Sequence, residues 1–128
     1  TGRRIMAYLN DRVFDEGLSI LDLEANAVHV TSAEATDYTE ATSTYTLGLS
    51  SSLSIAAPSD RTGGGRKVTV SSIADGAITG TGTVTHYALV DTVNSRLLAT
   101  AALTASQSVT NGNTFTLATF DIGIPDPT

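Results

Sequence analysis

The sequence predicts a mainly β protein, an antiparallel β-sandwich or barrel with one short N-terminal helix. Three observations carry that prediction. Up to residue 22 the apolar positions recur at helical spacing, whereas after Asn26 they recur every second residue, the period of a strand. About a quarter of the residues are Ser or Thr, which suits strands with one wet face far better than helices.

The helix is expected over residues 10–22. Asn10 can cap it, Asp11 sits in its first turn, and Val13, Phe14, Leu18 and Leu21 make one face apolar. Gly17 weakens it and points to close packing or a break there. Ala27-Val28-His29-Val30 then begins a strand. Thr-rich alternating runs follow at 66–73, 77–91, 96–104 and 113–124, separated by the turn signals Asp75-Gly76, Asn94-Ser95 and Asn111-Gly112. Residues 34–65 are the least regular part, an excursion holding one or two short strands.

The strand around residues 83–90 carries Val84, His86, Ala88 and Val90 on one face and Thr85, Tyr87 and Leu89 on the other. Both faces are partly apolar, so it belongs in the middle of a sheet. Residues 97–103 pair with it across the "DTVNSR" hairpin, and Phe115, Leu117, Phe120, Ile122 and Ile124 close the sheet before Pro125 and Pro127 end it.

Composition bounds the function. The 128 residues show no compositional break and predict a single domain with a modest core. Cys is absent, so neither a disulfide framework nor a thiolate metal site is available. No apolar run approaches the roughly 20 residues that span a bilayer, and no secretory signal is recognisable, so a soluble product made in the cytoplasm is expected. The formal charge of −6 argues against nucleic acid, whose binders draw most of their affinity from Lys and Arg on phosphates.

The charges are unevenly placed. Eight of the 13 acids, Asp11, Asp15, Glu16, Asp22, Glu24, Glu34, Asp37 and Glu40, fall in the first 40 residues, and three of the seven bases, Arg61, Arg66 and Lys67, bracket the glycines 63–65. Either these are two solvated surfaces, or the basic loop docks on an acidic neighbour such as another copy of the chain. Arg61, Arg66 and Lys67 are therefore the candidate partner-binding residues. "RTGGGRKVTV" does not read as a phosphate loop. Lys67 is followed by Val68-Thr69-Val70, so the chain leaves the glycines as a strand, with neither the hydroxyl nor the helix such a loop needs.

Catalytic chemistry is sparse. His29 lies between valines and is expected to face outward, and His86, on a face of small apolar residues, reads as a packed histidine with a hydrogen-bond partner rather than a base. There is no Gly-x-Ser-x-Gly nucleophile elbow, no carboxylate at helical spacing from either histidine and no calcium loop, so no catalytic, cofactor or metal site is expected. A structural or binding module is the expected class.

The segments "YLNDRVFDEGLSILDLEANAVHVTSAEATDYTEATSTYTLG", "SDRTGGGRKVTV" and "GTVTHYALVDTVNSRLLATAALTASQSVTNGNTFTLATFDIGIPDP" resemble a group of small virion structural proteins of tailed bacteriophages, variously labelled head-decoration (cement) or tail-fibre components. The resemblance covers nearly all of the chain from Met6 onward. It carries over no catalytic residues. It implies a homotrimeric decoration protein on the outer surface of the head, contacting the major capsid protein, or else a tail component binding a host surface. Residues 1–5, "TGRRI", precede a natural-looking start at Met6 and read as a cloning remnant or an upstream translation start.

Overall fold

The computed structural model describes residues 10–126; the expectations attached to residues 1–5 and to Pro127 lie outside them, as does the side chain of Asp11. Helix α1 spans Asp11–Glu24. Asn10 caps it, its side-chain oxygen accepting the Arg12 N–H at 2.8 Å and its carbonyl the Val13 N–H at 2.9 Å. Phe14, Leu18 and Leu21 are buried as the spacing requires, but Val13 is 56% exposed, because one residue's step turns it roughly 100° off that face. The expectation of close packing or a break at Gly17 is also corrected: the helix runs through it, and a Cβ there would meet nothing within 4 Å.

The fold is mainly β, and every pairing between its strands is antiparallel. The strands are β1 (Ala27–Thr31), β2 (Thr46–Ser50), β3 (Ser59–Asp60), β4 (Arg66–Val70), β5 (Ile73–Ile78), β6 (Gly82–Asp91), β7 (Arg96–Val109), β8 (Thr114–Leu117) and β9 (Phe120–Ile124). The chain divides into two compact units, one of residues 1–23, 54–71 and 119–128, the other of residues 24–53 and 72–118.

The second unit holds a six-stranded sheet in the order β7-β6-β1-β2-β5-β8. Strand β6 lies inside it, as its two partly apolar faces predict, and pairs with β7 across the turn at residues 92–95. Ser95 completes that turn at φ 55°, and Asn111-Gly112 turns the chain between β7 and β8. Asp75-Gly76 is not a turn but part of β5, where the register with β8 shifts between Ile73 and Gly76. A Cβ on Gly76 would strike the Phe115 ring, so this glycine seats an aromatic side chain within the sheet.

The first unit holds a three-stranded sheet in the order β3-β4-β9, with a single register along all five β4–β9 pairs. Two runs that read as continuous strands are therefore divided between the sheets. Residues 66–73 split into β4 and the start of β5, and residues 113–124 split into β8 and β9. Phe115 and Leu117 thus belong to one sheet and Phe120, Ile122 and Ile124 to the other, which corrects the expectation that all five close one sheet. The excursion contains more order than its sequence suggests: a π-helical turn at Glu40–Thr44, β2, β3 and a bridge from Ile55 to Val70.

Candidate functional site

The glycine loop joins β3 to β4 as a hairpin in which Ser59 faces Lys67 and Asp60 faces Arg66. Gly63, Gly64 and Gly65 all take positive φ, at 90°, 104° and 93°. Gly65 admits no other residue, because a Cβ there would collide with the backbone carbonyl of Ile124. Arg61 closes the loop, its N–H reaching the Gly65 carbonyl at 3.1 Å and its guanidinium the Gly64 carbonyl at 2.9 Å. The loop is filled by its own backbone bonds and feeds a strand directly, so the amides are not presented as a cradle for an anion.

The candidate partner-binding residues are brought together here, but with acids of their own chain. The Arg66 guanidinium meets Asp15 at 2.9 and 3.3 Å, Asp60 at 2.6 Å and the Pro58 carbonyl at 3.4 Å. Its side chain is 17% exposed and Asp15 is 33% exposed, so this is a half-buried network rather than a solvated charge. Lys67, the chain's single lysine, donates to Asp121 at 3.1 Å, and Thr69 donates to the same carboxylate at 2.7 Å. The Thr69 hydroxyl, followed by the Lys67 ammonium, holds the Asp121 carboxyl below the usual range. The acidic helix and the basic loop of the sequence are thus each other's partners through Asp15 and Arg66.

The two histidines reverse their expected places. His29 is buried, not outward, because β1 lies between β6 and β2 and the excursion folds over the face it shares with Ala27 and Ala88. Ala35 and Ala41, with Tyr38 and Tyr45, pack there against Ala27, Ala88 and Val90. The Thr46 hydroxyl gives its one proton to the Gly48 carbonyl at 3.1 Å, so it accepts from Nδ1 of His29 at 2.7 Å. Burial pushes the His29 pKa below its ordinary value. His86 is only half-buried, with its Nδ1 2.8 Å from the neighbouring Thr85 hydroxyl.

Three further carboxylates hold loops, a role their sequence positions did not mark. Asp91, buried at the end of β6, accepts from Val93 N–H at 2.9 Å and from Asn94 N–H and side-chain amide at 3.2 and 2.8 Å. Asn94 is the main reason its pKa lies low. The Asx pattern Asp91-x-x-Asn94 at a hairpin was the available signal. Asp75 accepts from Ser52 at 2.7 Å and Ser50 at 3.1 Å, and Glu40 from the Thr36 hydroxyl and N–H at 2.6 and 2.8 Å; in each case these bonds lower the pKa.

Among the described residues no group of three or more His, Cys, Asp or Glu side chains is placed to hold a metal ion, and no helix is long and apolar enough to cross a membrane. The one concavity that the second unit adds is a pocket of about 230 Å³ over Ile78 and Phe115, walled by Gln107, Ser108, Thr110 and Asn113. No family model, curated protein or solved structure matches the chain.

Proposed function

We propose that this chain is a structural protein of a bacteriophage particle, a decoration or cement protein that binds the outside of the head and steadies contacts between major capsid subunits. The sequence resemblance supports the reading, and so does the way the polar side chains are used. Arg66, Asp91, Asp75, Asp121 and Glu40 all hold the chain's own loops and strands in place. A clamp benefits from loops already shaped before they meet their partner, since each side chain ordered on binding costs roughly 0.5–1.5 kcal/mol. The net charge of −6 suits the exterior of a DNA-filled shell better than its lining.

The proposed assembly is a homotrimer, because capsid lattices present local three-fold positions and one repeated contact closes a ring of three. Arg61, Arg66 and Lys67 are proposed to face the capsid, with Arg66 and Lys67 exchanging Asp60 and Asp121 for an acidic neighbour. Imaging of virions carrying a labelled copy of the chain tests the role. Label spread over the capsid at three-fold or quasi-three-fold sites is the expected result, and label confined to the tail rejects it.

A further inference from the structure

The turn between β6 and β7 is held more firmly than a solvent-facing turn requires. Asp91 fixes the Val93 and Asn94 amides from within. From outside, Asn26 clasps Thr92 twice, accepting its N–H at 3.0 Å and donating to its hydroxyl at 2.8 Å. Arg96 closes the base on Glu24 at 3.4 Å. At the apex of this frame stands Val93, 81% exposed, the most exposed of the large apolar side chains described.

At the far end of the same hairpin lies the pocket. Gly82 pairs with Val109 there, whereas Asp91 pairs with Arg96 beside the turn. The ten residues of β6 separate the two by about 30 Å at roughly 3.3 Å per residue. The pocket has an apolar floor, Ile78 and Phe115, and walls of amide and hydroxyl side chains. At about 230 Å³ it falls below the roughly 300–1,000 Å³ of sites for drug-sized molecules and is scaled to a side chain.

We propose that Val93 of one copy inserts into this pocket on a second copy, so that the chain associates head to tail. Charge selects a second copy as the occupant. Each chain carries −6, and copies repel unless they meet through neutral surface. Residues 97–120, which include every pocket wall, contain no charged side chain. The turn is equally quiet, its Asp91 being buried and its Arg96 paired with Glu24. A rigid apolar knob entering an apolar floor within a polar rim has the anatomy of an interface hot spot. Knob and pocket are different surfaces at opposite ends of one hairpin, so the contact is heterologous and repeats until a ring closes. This goes beyond the virion reading and is independent of it.

Sedimentation velocity on the whole chain, with and without V93D and S108W, tests the proposal. Ser108 is an exposed wall residue, so a tryptophan there obstructs the pocket from outside. The wild type is expected to form a discrete oligomer and each variant to be monomeric, its dissociation constant raised about thirtyfold or more. Mixing the two variants should restore dimers and nothing larger, because one intact knob then meets one intact pocket. Circular dichroism checks the fold, and V93S and T116W replace any variant that fails it. A monomeric wild type, an oligomer that survives loss of Val93, or a mixture that does not pair would each overturn the proposal.

Discussion

In the six-stranded sheet the middle strands carry the burial: all five residues of β1 are buried, and so are Tyr87 to Asp91 of β6. Its polar side chains act mainly at the edges of that core, Asp91 in a turn and Asp75 beside a register shift. In the three-stranded sheet the strands are shorter, and charged pairs join residues far apart in the chain, Arg66 to Asp15 and Lys67 to Asp121. Apolar residues anchor it too, with Phe14, Leu18, Val68 and Val70 buried. The contrast teaches where sensitivity to salt and pH should lie. Apolar burial is indifferent to ionic strength at these levels, whereas half-exposed ion pairs are screened.

The largest expected effect is in the six-stranded unit. Leu89 is fully buried, so Leu89→Ala should cost about 2–5 kcal/mol in urea denaturation, with little dependence on salt. A loss below about 1 kcal/mol would mean that the middle of this sheet is not where its stability resides. Next comes Gly65→Ala in the other unit. Positive φ alone costs on the order of 1–3 kcal/mol, and the added Cβ meets the Ile124 carbonyl besides. Thermal melts should register that loss, and an unchanged midpoint would show that the β3–β4 loop contributes nothing.

A smaller change sharpens the comparison directly. Asp15→Ala removes one carboxylate from Arg66 and is expected to cost about 1 kcal/mol, shrinking as salt is added. Equal losses at low and high salt would remove the electrostatic distinction between the units.

The smallest effect is a pH slope from His29. Its folded pKa lies below the ordinary 6.5, so between those values the unfolded chain binds more protons than the folded one. The stability due to the neutral ring is therefore intact above pH 6.5 and lost as the pH falls through the folded value. His29→Gln should flatten the stability profile in that window while leaving the lower one, where Asp121 protonates below its ordinary 3.8, in place. A variant profile with the same slope below pH 6.5 would assign that slope to other groups.

The features legible in the sequence were those that act over a few residues. The Asn10 cap, the Phe14-Leu18-Leu21 stripe, the alternation in β6 and the Asn94-Ser95 and Asn111-Gly112 turns are written in spacings that backbone geometry enforces locally. The absence of a helix after the glycines was equally plain from Val68-Thr69-Val70.

What local spacing could not supply was the identity of each strand's neighbours. Alternation marks a strand but not its sheet, so residues 113–124 read as one run although β8 and β9 belong to different sheets. His29 between two valines has the pattern of an outward residue, and only the packing of Ala35 and Ala41 from the excursion makes that face an interior. Likewise, Arg66 and Asp15 are 51 positions apart, and no periodicity links them. By itself the sequence determined which segments are helix or strand and where the chain turns, because those are decided by dihedral preference and the period of apolar residues. The tertiary structure alone decided which faces are buried and which charges meet, because burial and ion pairing depend on distances in space that chain separation does not encode.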